Sequence, residues 1–156
     1  MTATLSLIFR IVLGGMFVLA GLAKIADPVR FLLTLREFRI FPDMLERFMA
    51  VTVPWLELIL GLCLLLGLLT RAAALLFAVL TGGFTLAILS VIARGIKVDC
   101  GCFGMLADAL KLPDTADYKA VIRNLLFLGM ALFLLYAKRT RFSLEEYIRR
   151  RAAEGE

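Results

Sequence analysis

Apolar residues in this chain come in long unbroken runs rather than alternating with polar ones. Phe48–Thr70 contains a single charge, Glu57, and Ala72–Ala93 contains none. Each run exceeds the roughly 20 residues that cross the hydrocarbon core of a bilayer as a helix. Both predict membrane spans, and the short Leu69-Thr70-Arg71 between them predicts a tight antiparallel hairpin. Leu5–Ala23 makes a third span with Arg10 inside it, and Ala120–Ala137 a fourth with Arg123 near its start. Each arginine lies within roughly two turns of a helix end, where a long stem carries the guanidinium towards the headgroups. Ile11–Ala23 also fits the apolar part of a signal peptide. The span is preferred because no basic residue precedes Arg10 and cleavage leaves only three spans.

The polar stretches are equally patterned. In Asp27–Arg47, Phe31, Leu32, Leu35, Phe38 and Ile40 alternate with Arg30, Arg36, Glu37 and Arg39. Such a segment is amphipathic and too charged to cross, so it is expected along the membrane surface. Pro28 and Pro42 bracket it as start and stop. A second polar stretch, Arg94–Lys119, contains Asp99-Cys100-Gly101-Cys102-Phe103-Gly104 and the turn signal Leu112-Pro113-Asp114. Beyond the last span, Ser143 and Glu146 have the spacing of a capping box for a short basic helix. Gly14, Gly15, Gly21, Gly61, Gly67, Gly82 and Gly83 mark places where helix backbones approach. Gly14 and Gly21 fall one heptad apart, on one face.

The fold class expected is therefore all-α: an integral membrane four-helix bundle, with an amphipathic surface segment after the first span and a short cytoplasmic tail helix. Residues 1–139 form the four-span membrane domain and residues 140–156 the basic C-terminal tail.

Composition agrees. Of 156 residues, 62% are hydrophobic and 20% charged, and mean hydropathy is +0.92. Soluble domains are nearer half apolar, so lipid is part of the solvent. The net charge of +5 gathers at segment ends and in the tail, where anionic headgroups and topology explain it and nucleic acid is not needed. Histidine is absent, which removes the commonest proton shuttle and the usual haem and zinc ligand. No resident metal site is assigned. Arg71 and the tail form the densest basic cluster beside spans. The two long loops hold more Lys and Arg in total, which argues for the opposite orientation, but there they alternate with acids; the expectation is a cytoplasmic tail, with the Cys100–Cys102 loop on the extracytoplasmic face.

Redox chemistry then falls to cysteine. Cys100 and Cys102 are one glycine apart, while Cys63 lies in an apolar span and behaves as a small hydrophobe. An extended strand holds residues two apart near the Cα limit of about 7 Å for a disulfide. Gly101 tolerates positive φ and lets the chain fold tightly enough to close one. A small strained ring is easily reduced. Lys97 favours a thiolate nearby and Asp99 opposes it. Three readings stand: a redox-active pair, a soft-metal carrier for Cu(I) or Hg(II), and structural or inert thiols.

An intramembrane carboxylate demands a partner. With alternating spans, Lys24 and Arg123 share an end of the bundle with Glu57, and Arg10 lies at the other. A Glu57 cluster with Lys24 or Arg123 is therefore expected beneath the cysteine loop. It serves either thiol chemistry and proton passage or helix register alone. Trp55 and Phe103 are candidates to stack on a quinone ring; as interfacial anchors they need no ligand.

One resemblance covers nearly the whole chain up to about Lys138. It rests on Arg10, on Gly21-Leu22-Ala23-Lys24-Ile25-Ala26-Asp27-Pro28, and on Pro54-Trp55-Leu56-Glu57-Leu58 with Gly61. Val98-Asp99-Cys100-Gly101-Cys102-Phe103-Gly104 and Arg123-Asn124-Leu125 complete it. The chain resembles the MauE branch of the DoxX-like membrane proteins. The resemblance implies a four-helix membrane bundle that helps disulfide formation beside a thioredoxin-like partner while methylamine dehydrogenase matures. It also invites comparison with quinone-linked thiol oxidases such as vitamin K epoxide reductase and DsbB. Those use Cys-x-x-Cys, whereas this chain has Cys-x-Cys and lacks a second cysteine pair to complete a relay.

The function expected is thiol–disulfide exchange through Cys100 and Cys102. A thioredoxin-like extracytoplasmic protein is the partner and a membrane quinone the candidate cofactor, at the inner (cytoplasmic) membrane of a bacterium. A non-catalytic scaffold for a maturation partner and a soft-metal carrier are the alternatives.

Overall fold

The computed structural model describes residues 2–96 and 118–136. The cysteine pair, with Asp99 and Phe103, and the tail helix lie outside the described residues. Among the described residues every regular element is a helix: α1 (Thr2–Ala26), α2 (Pro28–Phe38), α3 (Asp43–Leu66), α4 (Thr70–Ala93) and α5 (Tyr118–Tyr136). Four segments are long and apolar enough to cross a membrane: Thr4–Ala26, Asp43–Leu66, Thr70–Ala93 and Tyr118–Tyr136. The protein is a multi-pass membrane helix bundle. Its outer surface carries exposed Ile11, Leu22, Ile59, Val79, Leu86 and Ile122, a distribution stable only where lipid is the solvent.

α1 packs chiefly on α3, and α4 on α5. The two pairs are antiparallel. Arg10 meets Leu64, Gly14 meets Gly61, and Lys24 meets Glu57, so rising numbers in α1 face falling numbers in α3. Ala73, Ala74 and Phe77 of α4 pack with Ala131 and Leu134 of α5, while Ala87, Ile88 and Val91 pack with Ala120 and Val121. A stacked Phe17–Phe77 pair (centroids 3.9 Å apart, planes at 24°) joins the two halves, as does an edge-to-face Phe9–Phe133 contact.

Glycine sets the closeness of α1 and α3. A Cβ on Gly14 would lie 2.8 Å from the Gly61 carbonyl oxygen, and one on Gly21 would lie 2.9 Å from the Pro54 carbonyl oxygen. Gly14 and Gly21 thus share the face turned to α3. Among the described residues Gly15, Gly82 and Gly83 do not serve packing: a Cβ on any of them meets none of their atoms within 4 Å.

The boundaries differ from the hydropathy pattern in two places. α3 starts at Asp43, with Pro42 as its N-cap, so Pro42 opens a span rather than closing a surface helix. Asp43 and Glu46 sit in its first turn, where carboxylates suit the helix dipole. α3 also ends before Thr70. Gly67 adopts φ 71°, its N–H bonds to the Leu64 carbonyl (3.2 Å), and Leu68 N–H bonds to the Cys63 carbonyl (2.9 Å). These bonds close a helix at a left-handed residue, so the hairpin turn is Gly67-Leu68-Leu69 and Thr70 begins α4.

α2 is the amphipathic segment expected after the first span. Asp27 caps it, accepting a hydrogen bond from Arg30 N–H (3.0 Å), and Pro28 occupies the first turn. Phe31, Leu35 and Phe38 are buried, packing on Ala50 and Val53 of α3 and on the end of α4. Arg94 donates to the carbonyls of Phe38 and Arg39, tying the end of α2 to the end of α4.

Candidate functional site

Charged side chains inside an apolar bundle need partners, and α3 meets buried cations of α1 at two places. Near one end of α3, Arg10 is fully enclosed (1% exposed). Its Nε donates to the Leu64 carbonyl at 3.0 Å, and its guanidinium lies against Gly67, where a Cβ would fall 1.8 Å from Nη2. The cation thus caps the carbonyl-rich, negative end of α3 from a neighbouring helix. One guanidinium nitrogen of Arg10 and the hydroxyls of Ser6 and Thr70 are buried without a partner among the described residues.

The second place is the candidate site. Lys24 Nζ donates to both Glu57 oxygens, at 2.8 and 2.7 Å, and both side chains are almost wholly buried. The same ammonium lies 5.3 Å from the Phe31 ring centroid and 5.7 Å from that of Phe84, within cation–π range. Glu57 is deeper than hydropathy alone suggests. Because α3 begins at Asp43, Glu57 lies about 21 Å from that end and about 14 Å from Leu66, at 1.5 Å per residue.

The ion pair borders a small cleft formed between α1, α4 and α5. Phe17, Phe77, Phe84 and Phe127 supply most of its aromatic wall; Thr81, Arg123 and Asn124 are its other polar members. The structure therefore gathers Lys24, Glu57 and Arg123 into one site, with Lys24 in direct contact with Glu57. α4 ends and α5 begins at the same end of the bundle, so the connection 97–117 leaves and re-enters there. Arg123 lies about 7 Å along α5 from Tyr118.

Trp55 is not brought to the cleft. It stands on the outer face of α3, 54% exposed. Residues two apart on a helix point about 200° from one another, so Glu57 facing inward turns Trp55 outward. Thr81 and Asn124 are cleft residues that the sequence reading passed over. Their signal is weak but present: Asn124 is a carboxamide in an apolar span, and Phe77, Thr81 and Phe84 follow helical spacing along one stripe of α4.

The family model described as methylamine utilisation protein MauE matches residues 2–137. The methylamine utilization protein MauE of Paracoccus denitrificans is 34% identical over 124 residues, which is 79% of this chain and 64% of that protein. The Paracoccus versutus protein of the same name is 36% identical over the same shares. That of Methylorubrum extorquens is 38% identical over 85 residues, 54% of this chain and 46% of its own. The chain thus spans less than two thirds of the length of these curated relatives. No solved structure matches it significantly. With the family match running through all four spans and the Cys-Gly-Cys connection, the chain belongs to the methylamine utilisation protein MauE family.

Proposed function

We propose that this protein is a membrane accessory factor of methylamine utilisation that exchanges disulfides with a thioredoxin-like partner through Cys100 and Cys102. The observation that carries the reading is the Cys-x-Cys pair itself, inside the stretch matched to the family. The pair lies in the connection that leaves and re-enters the bundle at the α4–α5 end. Basic residues beside the other ends favour an inner-membrane protein with this connection outside the cytoplasm.

In the oxidising direction, a partner thiolate attacks one sulfur of the Cys100–Cys102 disulfide. A mixed disulfide forms and the second sulfur leaves as a thiolate. The partner's other thiolate then breaks the mixed disulfide. The partner now holds a disulfide, and Cys100 and Cys102 hold two electrons and two protons. Closing the Cys100–Cys102 bond again requires an acceptor of those two electrons and two protons, a role that a membrane quinone would fill.

The test is trapping. Cys100→Ser and Cys102→Ser variants, expressed in a host that matures methylamine dehydrogenase, are expected to differ: the variant that retains the attacking thiol accumulates a mixed disulfide with an extracytoplasmic protein. If neither variant traps a partner, and the double variant still supports full enzyme maturation, the protein is a scaffold and the exchange reading is lost.

A further inference from the structure

Arg10 Nη1 and the hydroxyls of Ser6 and Thr70 make no hydrogen bond among the described residues, although these residues are only 1%, 1% and 4% exposed. Buried polar groups are costly unless something satisfies them. Packing brings the three to one end of the bundle. Ser6 and Arg10 are one turn apart on the same face of α1. α1 and α4 run parallel, with Leu13 packed among Ala73 and Ala74 and Phe17 stacked on Phe77. The same offset sets Arg10 level with Thr70, the first residue of α4. The Arg10 guanidinium itself lies against Gly67, in the turn that leads into Thr70.

All of these groups donate hydrogen bonds. α4 adds further donors: its N-cap is Leu69, whose hydrocarbon side chain makes no cap bond. The first-turn N–H groups therefore lack a side-chain acceptor from the cap and present the positive end of the helix dipole. No carboxylate accompanies Arg10 among the described residues, whose acids are Asp27, Glu37, Asp43, Glu46 and Glu57. Glu57 is bound by Lys24 and lies about 10 Å along α3 from Leu64. The Leu64 carbonyl that takes Arg10 Nε supplies only a partial charge. A water molecule would accept some of these bonds and leave the cation uncompensated; an anion answers both demands. Position and donor geometry then select the anion. Thr70 and the turn before it form the very end of the bundle, at headgroup level, and Arg71 beside them is exposed and attracts anions. A phosphate group offers separate oxygens to donors arriving from two helices, and both a guanidinium and a helix N-terminus suit it.

We infer that Ser6, Arg10, Thr70 and the first turn of α4 bind a phosphate group, carried by an anionic lipid or free in solution. Arg10 Nε holds the carbonyl end of α3, which leaves Nη1 to the phosphate. The ligand thus ties α1 to both arms of the α3–α4 hairpin and stabilises the bundle at this end. The site is independent of disulfide exchange, since the 97–117 connection leaves from the opposite end.

The experiment uses the purified full chain in an uncharged detergent and follows its melting temperature as ligand is added. Dioctanoyl phosphatidylglycerol and inorganic phosphate are the probes; dioctanoylglycerol and sodium chloride at matched ionic strength are the controls. A ligand that binds only the folded protein raises the melting temperature. A saturable rise with phosphatidylglycerol but not dioctanoylglycerol assigns the phosphate to lipid. A saturable rise with inorganic phosphate beyond that with sodium chloride assigns it to solution. In either case Thr70→Val is expected to raise the half-saturating concentration about tenfold, the loss of one hydrogen bond to a charged group. Ser6→Ala provides the same test should Thr70→Val fail to fold, and Arg10 stays in place in both. Hydroxyls that serve structure alone would lower the starting melting temperature and leave the half-saturating concentration where it was. That outcome, no rise with either probe, or a rise that the controls reproduce overturns the inference.

Discussion

Lys24 reaches from the last turn of α1 to both carboxylate oxygens of Glu57, near the middle of α3, at 2.7–2.8 Å. One contact therefore locks the register of the two most extensively packed helices and supplies charged groups to an aromatic cleft. In lipid neither partner is stable alone, since an isolated charge has no water to turn to. The α1–α3 contact is close for a separate reason, the absence of side chains at Gly14, Gly21 and Gly61.

Removing one member of the ion pair should cost far more than removing both. Glu57→Gln or Lys24→Met alone is expected to destabilise the bundle by about 3–5 kcal/mol, and the double substitution by much less. Thermal unfolding in detergent, read as a double-mutant cycle, checks this. Purely additive losses would show that the pair does not act as a unit.

If Glu57 also passes protons for thiol chemistry, Glu57→Gln should slow the reoxidation of Cys100 and Cys102 under conditions where the variant remains folded. Reoxidation is followed by thiol alkylation over time. A rate equal to that of the parent protein assigns the pair to helix register alone.

Glycines at and away from the α1–α3 contact should respond with opposite signs. Gly14→Ala places a Cβ 2.8 Å from the Gly61 carbonyl oxygen, an overpacking expected to cost about 1–3 kcal/mol. Gly82→Ala meets open space and should be neutral or stabilising by about 0.5–1 kcal/mol through helix propensity. Comparison of melting temperatures for the two variants settles the matter.

Gly67 combines a positive φ of 71° with direct contact to the Arg10 guanidinium. Gly67→Ala should therefore displace Arg10 from the Leu64 carbonyl as well as straining the turn. Its loss of stability should exceed that of Gly95→Ala, where φ is also positive (66°) but no side chain of a described residue is near. Equal losses would mean that Arg10 adds nothing to the cap.

Topology has its own measurement. An impermeant thiol reagent applied to intact cells after reduction should label Cys100 and Cys102 but not Cys63, which lies within α3. Labelling only after the cells are broken open would place the connection in the cytoplasm.

Much of the bundle is legible from one dimension because a hydrocarbon solvent imposes a simple length and polarity rule. Spans appear as apolar runs, and alternation of direction is enough to set Lys24 near Glu57 and Arg10 at the opposite end. The thiol pair, too, stands out by spacing alone. Rotation of each helix about its axis is another matter, because it is chosen by side chains on different segments. Trp55 faces outward only because Gly21, Gly14 and Lys24 of α1 claim the face of α3 that carries Leu58, Gly61 and Glu57. The start of α3 at Asp43 is unseen by hydropathy, since its first turn is charged and held by packing against α2. The cleft is likewise a product of tertiary structure. Phe17, Phe77, Phe84, Phe127 and Asn124 come from three helices, and no local pattern encodes their convergence. Sequence thus determined which segments enter the membrane and which chemical groups they carry; packing decided which of those groups meet, because closeness between helices depends on shapes far apart in the chain.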